Sequence, residues 1–159
     1  MYKRQEFAYS KIKEAEKLGI NVSDAKDLRR KALSEFDNRE YERAKELAEE
    51  ARRKAIERRE EYNRALSLIS EADLISEAES VGANMDLLKQ SKQAFDNGKY
   101  KEAIKLAEEA LRAMTADFIS SAKSEIEEIK RSGVNVEASE RLICDAESEL
   151  NENLSLIHI

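Results

Sequence analysis

The chain has 159 residues, no proline, four glycines and 39% charged side chains, and its hydrophobic residues recur at regular spacing. Ala, Glu, Lys, Leu and Arg dominate, which is typical of long helices and coiled coils and excludes disorder for most of the chain. The net charge of -6 argues weakly against a nucleic-acid binder, whose binding surface is basic.

The sequence predicts neither a membrane-spanning segment nor an N-terminal signal peptide. No apolar run approaches the ~20 residues of a membrane-spanning helix. The N-terminal sequence MYKRQEFAYS lacks the apolar core of a signal peptide. Cys144 is the single cysteine, so the chain cannot form an internal disulfide and nothing indicates an oxidising compartment. If Met1 is the true start, we expect a cytoplasmic protein.

Six helices are predicted, taken in chain order from the glycines and the apolar spacing. They run from about 2 to 18, 24 to 36, 41 towards 82, 86 to 95, 100 to 132, and from about 137 onward. Three glycines mark helix ends because glycine suits the left-handed position past a C-terminus: Gly19, Gly82 and Gly133. The residues after them include candidate N-caps, namely Asn21 or Ser23, Asn84 and Asn135.

A sequence of sixteen residues occurs twice. FDNREYERAKELAEEA at 36–51 returns as FDNGKYKEAIKLAEEA at 95–110, with ten identical positions. Arg39 stands where the second copy has Gly98, and arginine tolerates positive φ poorly, so we expect Asn38 to take that conformation in the first turn. A third copy of the longer unit, which begins at the loop glycine rather than at this sixteen-residue stretch, starts at Gly133 and stops matching after Leu150, the counterpart of Phe36.

The third helix carries a seam with strict 3-4 spacing, a heptad pattern sustained for about four repeats. Its members are Tyr41, Ala44, Ala48, Ala51, Ala55, Arg58, Tyr62, Ala65, Ile69 and Ala72. An unpaired buried charge is costly, so Arg58 is interpreted as an exposed waist where the helix leaves one bundle and enters the next. The fifth helix repeats the seam from Tyr100.

These patterns predict an all-α fold: an extended helical repeat array of hairpins or three-helix units that share long continuous helices. The predicted repeats are 1–60, 61–118 and an incomplete 119–159 with an atypical tail, SLIHI. We interpret the chain as a segment of a larger protein.

The stretch AFDNGKYKEAIKLAEEAL at 94–111 resembles the middle of a tetratricopeptide repeat. Gly98, Tyr100, Ala103 and Ala110 match that family's turn glycine, opening tyrosine and small packing residues. The resemblance implies a superhelix with a peptide-binding groove. The copies recur 59 residues apart rather than 34. In that respect the chain looks more like a spectrin-style array of joined three-helix bundles, or the Ala/Glu/Lys-rich helical repeats of archaeal proteins.

Residues able to carry chemistry are few. The only histidine is His158, so His-based catalysis and His metal sites are not expected. The pairs Glu49-Glu50 and Glu108-Glu109 could bind a cation, but a solvated helix face is favoured. Cys144 could be a reactive thiol, and a small hydrophobe on a helix face is favoured. No catalytic, cofactor-binding or metal-binding residue is predicted.

Basic and aromatic residues suggest contacts rather than catalysis. The basic clusters 29–31, 52–54 and 58–59 could bind phosphate, but nearby glutamates are expected to neutralise the later two. Tyr41, Tyr62 and Tyr100 could contact a partner, and the matched positions of Tyr41 and Tyr100 favour a core role.

From the repeated unit, the shared long helices and the lack of catalytic groups, we expect a non-enzymatic scaffold or spacer. A tetratricopeptide-type peptide adaptor is the alternative, and a small enzyme or metal protein using acidic clusters is a third possibility. The expected partners are proteins or neighbouring repeats of a longer chain, with neither nucleic acid nor membrane insertion.

Overall fold

A computed structural model describes residues 2–78 and 85–157 of the chain. Within these ranges the fold is entirely helical, which confirms the predicted all-α class. The helices are α1 Tyr2–Lys17, α2 Ser23–Asp37, α3 Tyr41–Ala78, α4 Met85–Asp96, α5 Tyr100–Arg131 and α6 Glu137–Ile157. Apart from the end of α3, the predicted boundaries agree to within one residue. Gly82, Asn84 and His158 lie outside the described residues.

The first part of α3 packs with α1 and α2. Arg59 of α3 reaches Glu14 of α1 at 3.4 Å, and Arg52 lies over the Phe7 ring at 5.1 Å, so α1 and α3 run in the same direction. The two helices of the α2–α3 hairpin are antiparallel. We call α1, α2 and residues 41–59 the first group.

The later part of α3 has different neighbours. Arg64 pairs with Glu108 of α5 at 2.5 Å, and Asp73 pairs with Lys92 of α4 at 2.6 Å. Residues 60–78, α4 and residues 100–117 form the second group. The 38 residues of α3 span about 57 Å at 1.5 Å per residue, so one continuous helix serves both groups.

The seam of α3 is the buried stripe of the molecule, as its spacing predicts. Seven of its members are at most 7% exposed: Ala44, Ala48, Ala51, Ala55, Ala65, Ile69 and Ala72. Most are alanines, whose short side chains let neighbouring helices approach closely. The one fully buried polar side chain in this core is that of Ser91 in α4, whose hydroxyl donates to the Ala103 carbonyl at 2.8 Å and so meets the requirement of a buried polar group.

The chain exposes more surface than a compact monomer of its mass would. The chain exposes 10946 Å² at a mass of 18.2 kDa. A compact monomer of that mass would expose about 8,100 Å². The excess follows from helices packed in a row, each of which keeps one side in water.

The turns after α2 and α4 have the same geometry but different residues. Arg39 adopts φ 66° and Gly98 adopts φ 72°. Each donates its N–H to the helix three residues back, Arg39 to Phe36 at 3.0 Å and Gly98 to Phe95 at 2.9 Å. The expectation that Asn38 takes positive φ is wrong. Asn38 is still helical, with φ -76°, because the left-handed residue of this terminating motif comes one position later.

Arg39→Gly is expected to raise the free energy of unfolding by about 0.5–1 kcal/mol. It removes the side-chain cost of a left-handed arginine, and the greater freedom of glycine in the unfolded chain offsets part of the gain. Gly98→Ala is the matched reverse change and should cost about 1 kcal/mol or more. Urea unfolding followed by circular dichroism measures both. A loss of stability in Arg39→Gly would show that the arginine side chain outweighs its backbone strain.

Candidate functional site

The most elaborate cluster surrounds Tyr100, where the loop between α1 and α2 meets the start of α5. The Tyr100 side chain is only 3% exposed. Its ring packs against Tyr62 at 5.4 Å and Phe95 at 5.5 Å between centroids. The backbone N–H of Asn21 donates to the Tyr100 hydroxyl at 3.4 Å, so a loop of the first group anchors the second.

The same loop also lies against the turn at Gly98. A Cβ on Gly98 would lie 3.4 Å from the Cβ of Asn21, which is ordinary contact with no room to spare. The junction of the two groups is therefore built from one loop, one turn and one aromatic cluster.

Arg58 lies where α3 passes from the first group to the second, as the sequence predicts. Its side chain is 31% exposed, and so only in part open to water. Its guanidinium lies 5.5 Å from the centre of the Tyr100 ring and donates to Glu61 at 3.0 Å. The charge is tolerated there because it meets a carboxylate and the face of an aromatic ring. The expectation of an exposed residue is thus right only in part.

Tyr41 does not share the environment of its counterpart. It remains 48% exposed, with its ring edge-on to Phe36 at 5.5 Å. The expectation that Tyr41 and Tyr100 are equivalent core residues is wrong for Tyr41. The two tyrosines differ in burial because the loop at Asn21 packs over Tyr100. Asn21 lies 79 positions before Tyr100 in the sequence.

The loops before α2 and α6 share one hydrogen-bond pattern. Each also has an ion pair beside it, and the two charges are exchanged between the loops. Asn21 Oδ1 accepts from the Ser23 N–H at 3.1 Å, and Asn135 Oδ1 accepts from the Glu137 N–H at 3.0 Å; we call each of these bonds a loop cap. The N-cap position of α2 is Val22, which makes no side-chain cap hydrogen bond, so the prediction of Asn21 or Ser23 as that N-cap is wrong. Beside the first cap, Glu16 pairs with Lys26.

The ion pair beside the second cap has reversed charges, with Lys130 bound to Glu140 at 2.6 Å. These are the positions of Glu16 and Lys26 shifted by 114 residues. The hydrogen bond from Lys26, with a second from Lys13, lowers the pKa of the Glu16 carboxyl below its ordinary value. The hydrogen bond to Glu140 raises the pKa of the Lys130 ammonium.

The basic clusters at 52–54 and 58–59 have acidic partners, as predicted. Arg53 and Lys54 both pair with Glu57, at 3.7 and 3.6 Å, and Arg58 pairs with Glu61. The acidic pairs also have basic neighbours. Glu108 binds Arg64, and Glu109 lies 3.9 Å from Lys105. Within residues 2–78 and 85–157, no three His, Cys, Asp or Glu side chains are grouped as metal ligands would be.

Cys144 lies on a face of α6, as the sequence predicts, and its side chain is exposed to water. It borders a shallow cavity of about 330 Å³ between α5 and α6, together with Ile126 and Ile143. The thiol faces outward because α6 has only α5 as a neighbouring helix in the part of the chain that the structure describes.

A second cavity of about 210 Å³ lies at the junction of the two groups. It is bordered by Asn21, Lys54, Arg58, Glu61 and Lys101, with other residues of the same helices. Lys101 reaches Glu61 at 3.4 Å, so acidic and basic groups balance across the opening. Such a lining favours no single class of ligand.

Comparisons with protein-family models, curated proteins and solved structures gave no match. None of the helices within residues 2–78 and 85–157 is both long enough and apolar enough to span a bilayer. The candidate site is therefore interpreted from its own geometry, which consists of surfaces where helices pack against one another.

Tyr100→Ala is expected to lower the free energy of unfolding by about 3–5 kcal/mol, because it empties the aromatic cluster between the groups. Tyr41→Ala is the matched control and should cost less than about 1 kcal/mol, since half of that side chain is already in water. Chemical denaturation of both variants tests the pair. An equal loss of unfolding free energy in the two variants would contradict the different burial of Tyr100 and Tyr41.

Lys26→Ala is expected to move the pKa of Glu16 up towards its ordinary value, and Lys13→Ala should move it less. NMR titration of the Glu16 side chain measures both shifts, with Lys31→Ala as a control on α2. A shift in the control as large as that in Lys26→Ala would contradict the assignment of this pair.

Because the pKa of the Glu16 carboxyl is lowered on folding, the free energy of unfolding depends on pH. The folded value lies below the unfolded one, so the contribution to stability is fully present above about pH 4.3. It is lost as the pH falls through the folded pKa. Wild type should therefore be more stable than Lys26→Ala at pH 7, and the difference should shrink in acid.

Proposed function

We propose that the chain is a non-enzymatic helical-repeat scaffold or spacer module that acts through protein–protein contacts. The observation that carries this proposal is the continuity of α3. Its first part packs with α1 and α2 and its later part with α4 and α5, with no loop between the two. A helix shared in this way holds two groups at a fixed separation, which is what a spacer requires.

Recurring geometry supports an array. The turns at Arg39 and Gly98 share their left-handed residue and hydrogen bonds, and the loops at Asn21 and Asn135 share their caps. Packing of each group mainly against its neighbours is the property of repeat proteins. On this proposal, further groups of the same kind could be added at either end without changing the packing of these two.

The spectrin-like form of the array is favoured over the tetratricopeptide form. A tetratricopeptide unit is a helical hairpin of 34 residues. Here a single helix of 38 residues passes through two groups. The peptide-adaptor alternative is correspondingly less favoured. We propose a cytoplasmic location, and the partners are taken to be proteins.

Small-angle X-ray scattering tests the spacer. A compact chain of this length would have a radius of gyration of about 15 Å. The row of helices described above should give a clearly larger value and an asymmetric distance distribution. Sedimentation velocity on the same sample checks that the result comes from a monomer. A monomer with the compact value would exclude the spacer role.

A further inference from the structure

The α5–α6 hairpin presents an apolar surface to water. We call it the open face: Ala122, Ile126 and Ile129 on α5 with Leu142 and Ala146 on α6. Leu142 is 70% exposed and Ile129 is 45% exposed. All five residues are at least partly exposed. Leu142 is the most exposed of the large apolar side chains among the described residues, and exposed apolar surface of this kind is typical of interaction sites.

The first group contains the same surface in a covered form. The residues 114 positions earlier are Ala8, Ile12, Ala15, Leu28 and Ala32. The matching loop caps and the ion pairs at 16–26 and 130–140 fix this correspondence. Ile12 is 3% exposed and the three alanines are at most 1% exposed, while Leu28, the counterpart of Leu142, is partly buried.

The helix that covers this surface in the first group is the start of α3. It places the seam alanines Ala44, Ala48, Ala51 and Ala55 between α1 and α2, each at most 3% exposed. The covering helix therefore has small residues along one side. In the first group this helix belongs to the chain itself, and within the described residues the open face has no equivalent.

Charges at the rim specify the covering helix further. In the first group, Arg43 and Arg59 of α3 reach Glu35 of α2 at 3.6 Å and Glu14 of α1 at 3.4 Å. The residues 114 positions after these two glutamates are Glu149 and Glu128, so both acidic positions are retained beside the open face. Both are exposed.

We propose that the open face is a docking site for a basic amphipathic helix of a partner protein, with an alanine seam and an arginine near each end. The helix lies parallel to α5 and antiparallel to α6, as residues 41–59 lie on α1 and α2. Its seam covers Leu142 and Ile129, and its two arginines pair with Glu128 and Glu149. This inference builds on the proposed function, because it gives the scaffold a surface that binds a partner.

Charge disfavours a second copy as the occupant. Residues 118–152 carry nine acidic and four basic side chains, so two hairpins placed face to face would repel each other. Residues 41–59 carry seven basic and five acidic side chains, and their charge therefore complements the hairpin.

The probe is a fluorescein-labelled peptide with the sequence of residues 41–59, YERAKELAEEARRKAIERR, titrated with the full chain at low salt. We expect saturable binding by fluorescence anisotropy and a gain of helicity by circular dichroism. A peptide with Ala48→Gln and Ala51→Gln, which keeps the charge but enlarges the seam, should lose binding. Failure of the original peptide to bind at millimolar chain concentration would overturn the proposal.

A charge exchange locates the peptide. The chain variant Glu128→Lys with Glu149→Lys should weaken binding by about tenfold or more. A peptide with Arg43→Glu and Arg59→Glu should recover affinity for that variant alone. The control variant Glu127→Lys with Asp145→Lys reverses two charges on the same helices, at positions where the first group carries Lys13 and Lys31. It should bind the original peptide as wild type does.

Two results would overturn this assignment. One is equal weakening in the control variant, which would show attraction by net charge alone. The other is a chain that already sediments as a dimer and becomes monomeric on Leu142→Asp, which would make a second copy the occupant. Neither result bears on the radius of gyration of the monomer, so the test of the spacer stands apart.

Discussion

The constraint on which this structure depends is the size of the side chains along the α3 seam. Alanine at positions 44, 48, 51, 55, 65 and 72 lets the helices on either side approach closely. Each methyl group contributes little by itself, so stability comes from many close contacts along the length of the helix. A larger residue at such a position would push a whole neighbouring helix outward, since a packed interior has little room to adapt. The absence of wide hydrophobic layers also explains why so much of the surface is in water.

Most of the helical framework could be predicted from the sequence, because glycine spacing and the 3-4 pattern are local signals. The turn residue could not be assigned correctly. A preference for asparagine over arginine at positive φ suggested Asn38, whereas the hydrogen-bonding pattern of the helix end placed Arg39 there. The repeated tyrosines show a second limit. Burial of Tyr100 depends on Asn21, a contact made across the fold. The local difference between the two turns, Arg39 against Gly98, does not by itself predict that contact.

The candidate interaction surface was only partly visible in the sequence. The loss of the repeated pattern after Leu150 indicated that a third group is incomplete. It did not show that Leu142 would be exposed, or that Glu128 and Glu149 stand where the first group binds arginines. Nor did it show that the Cys144 thiol would be exposed. Periodicity identifies a face of a helix, but only the arrangement of neighbouring helices decides whether that face is covered.

The continuity of α3 has a consequence for how such a chain can change in length. Successive residues of an α-helix are rotated by about 100° around its axis. The number of residues between the two groups therefore sets the angle of one group around the helix relative to the other. A single insertion near residue 60 would turn the whole second group by that angle, whereas a flexible linker would absorb it. An insertion or deletion of seven residues there would bring the second group back to within about 20° of its original angle, whereas three or four residues would leave it about 60° or 40° away.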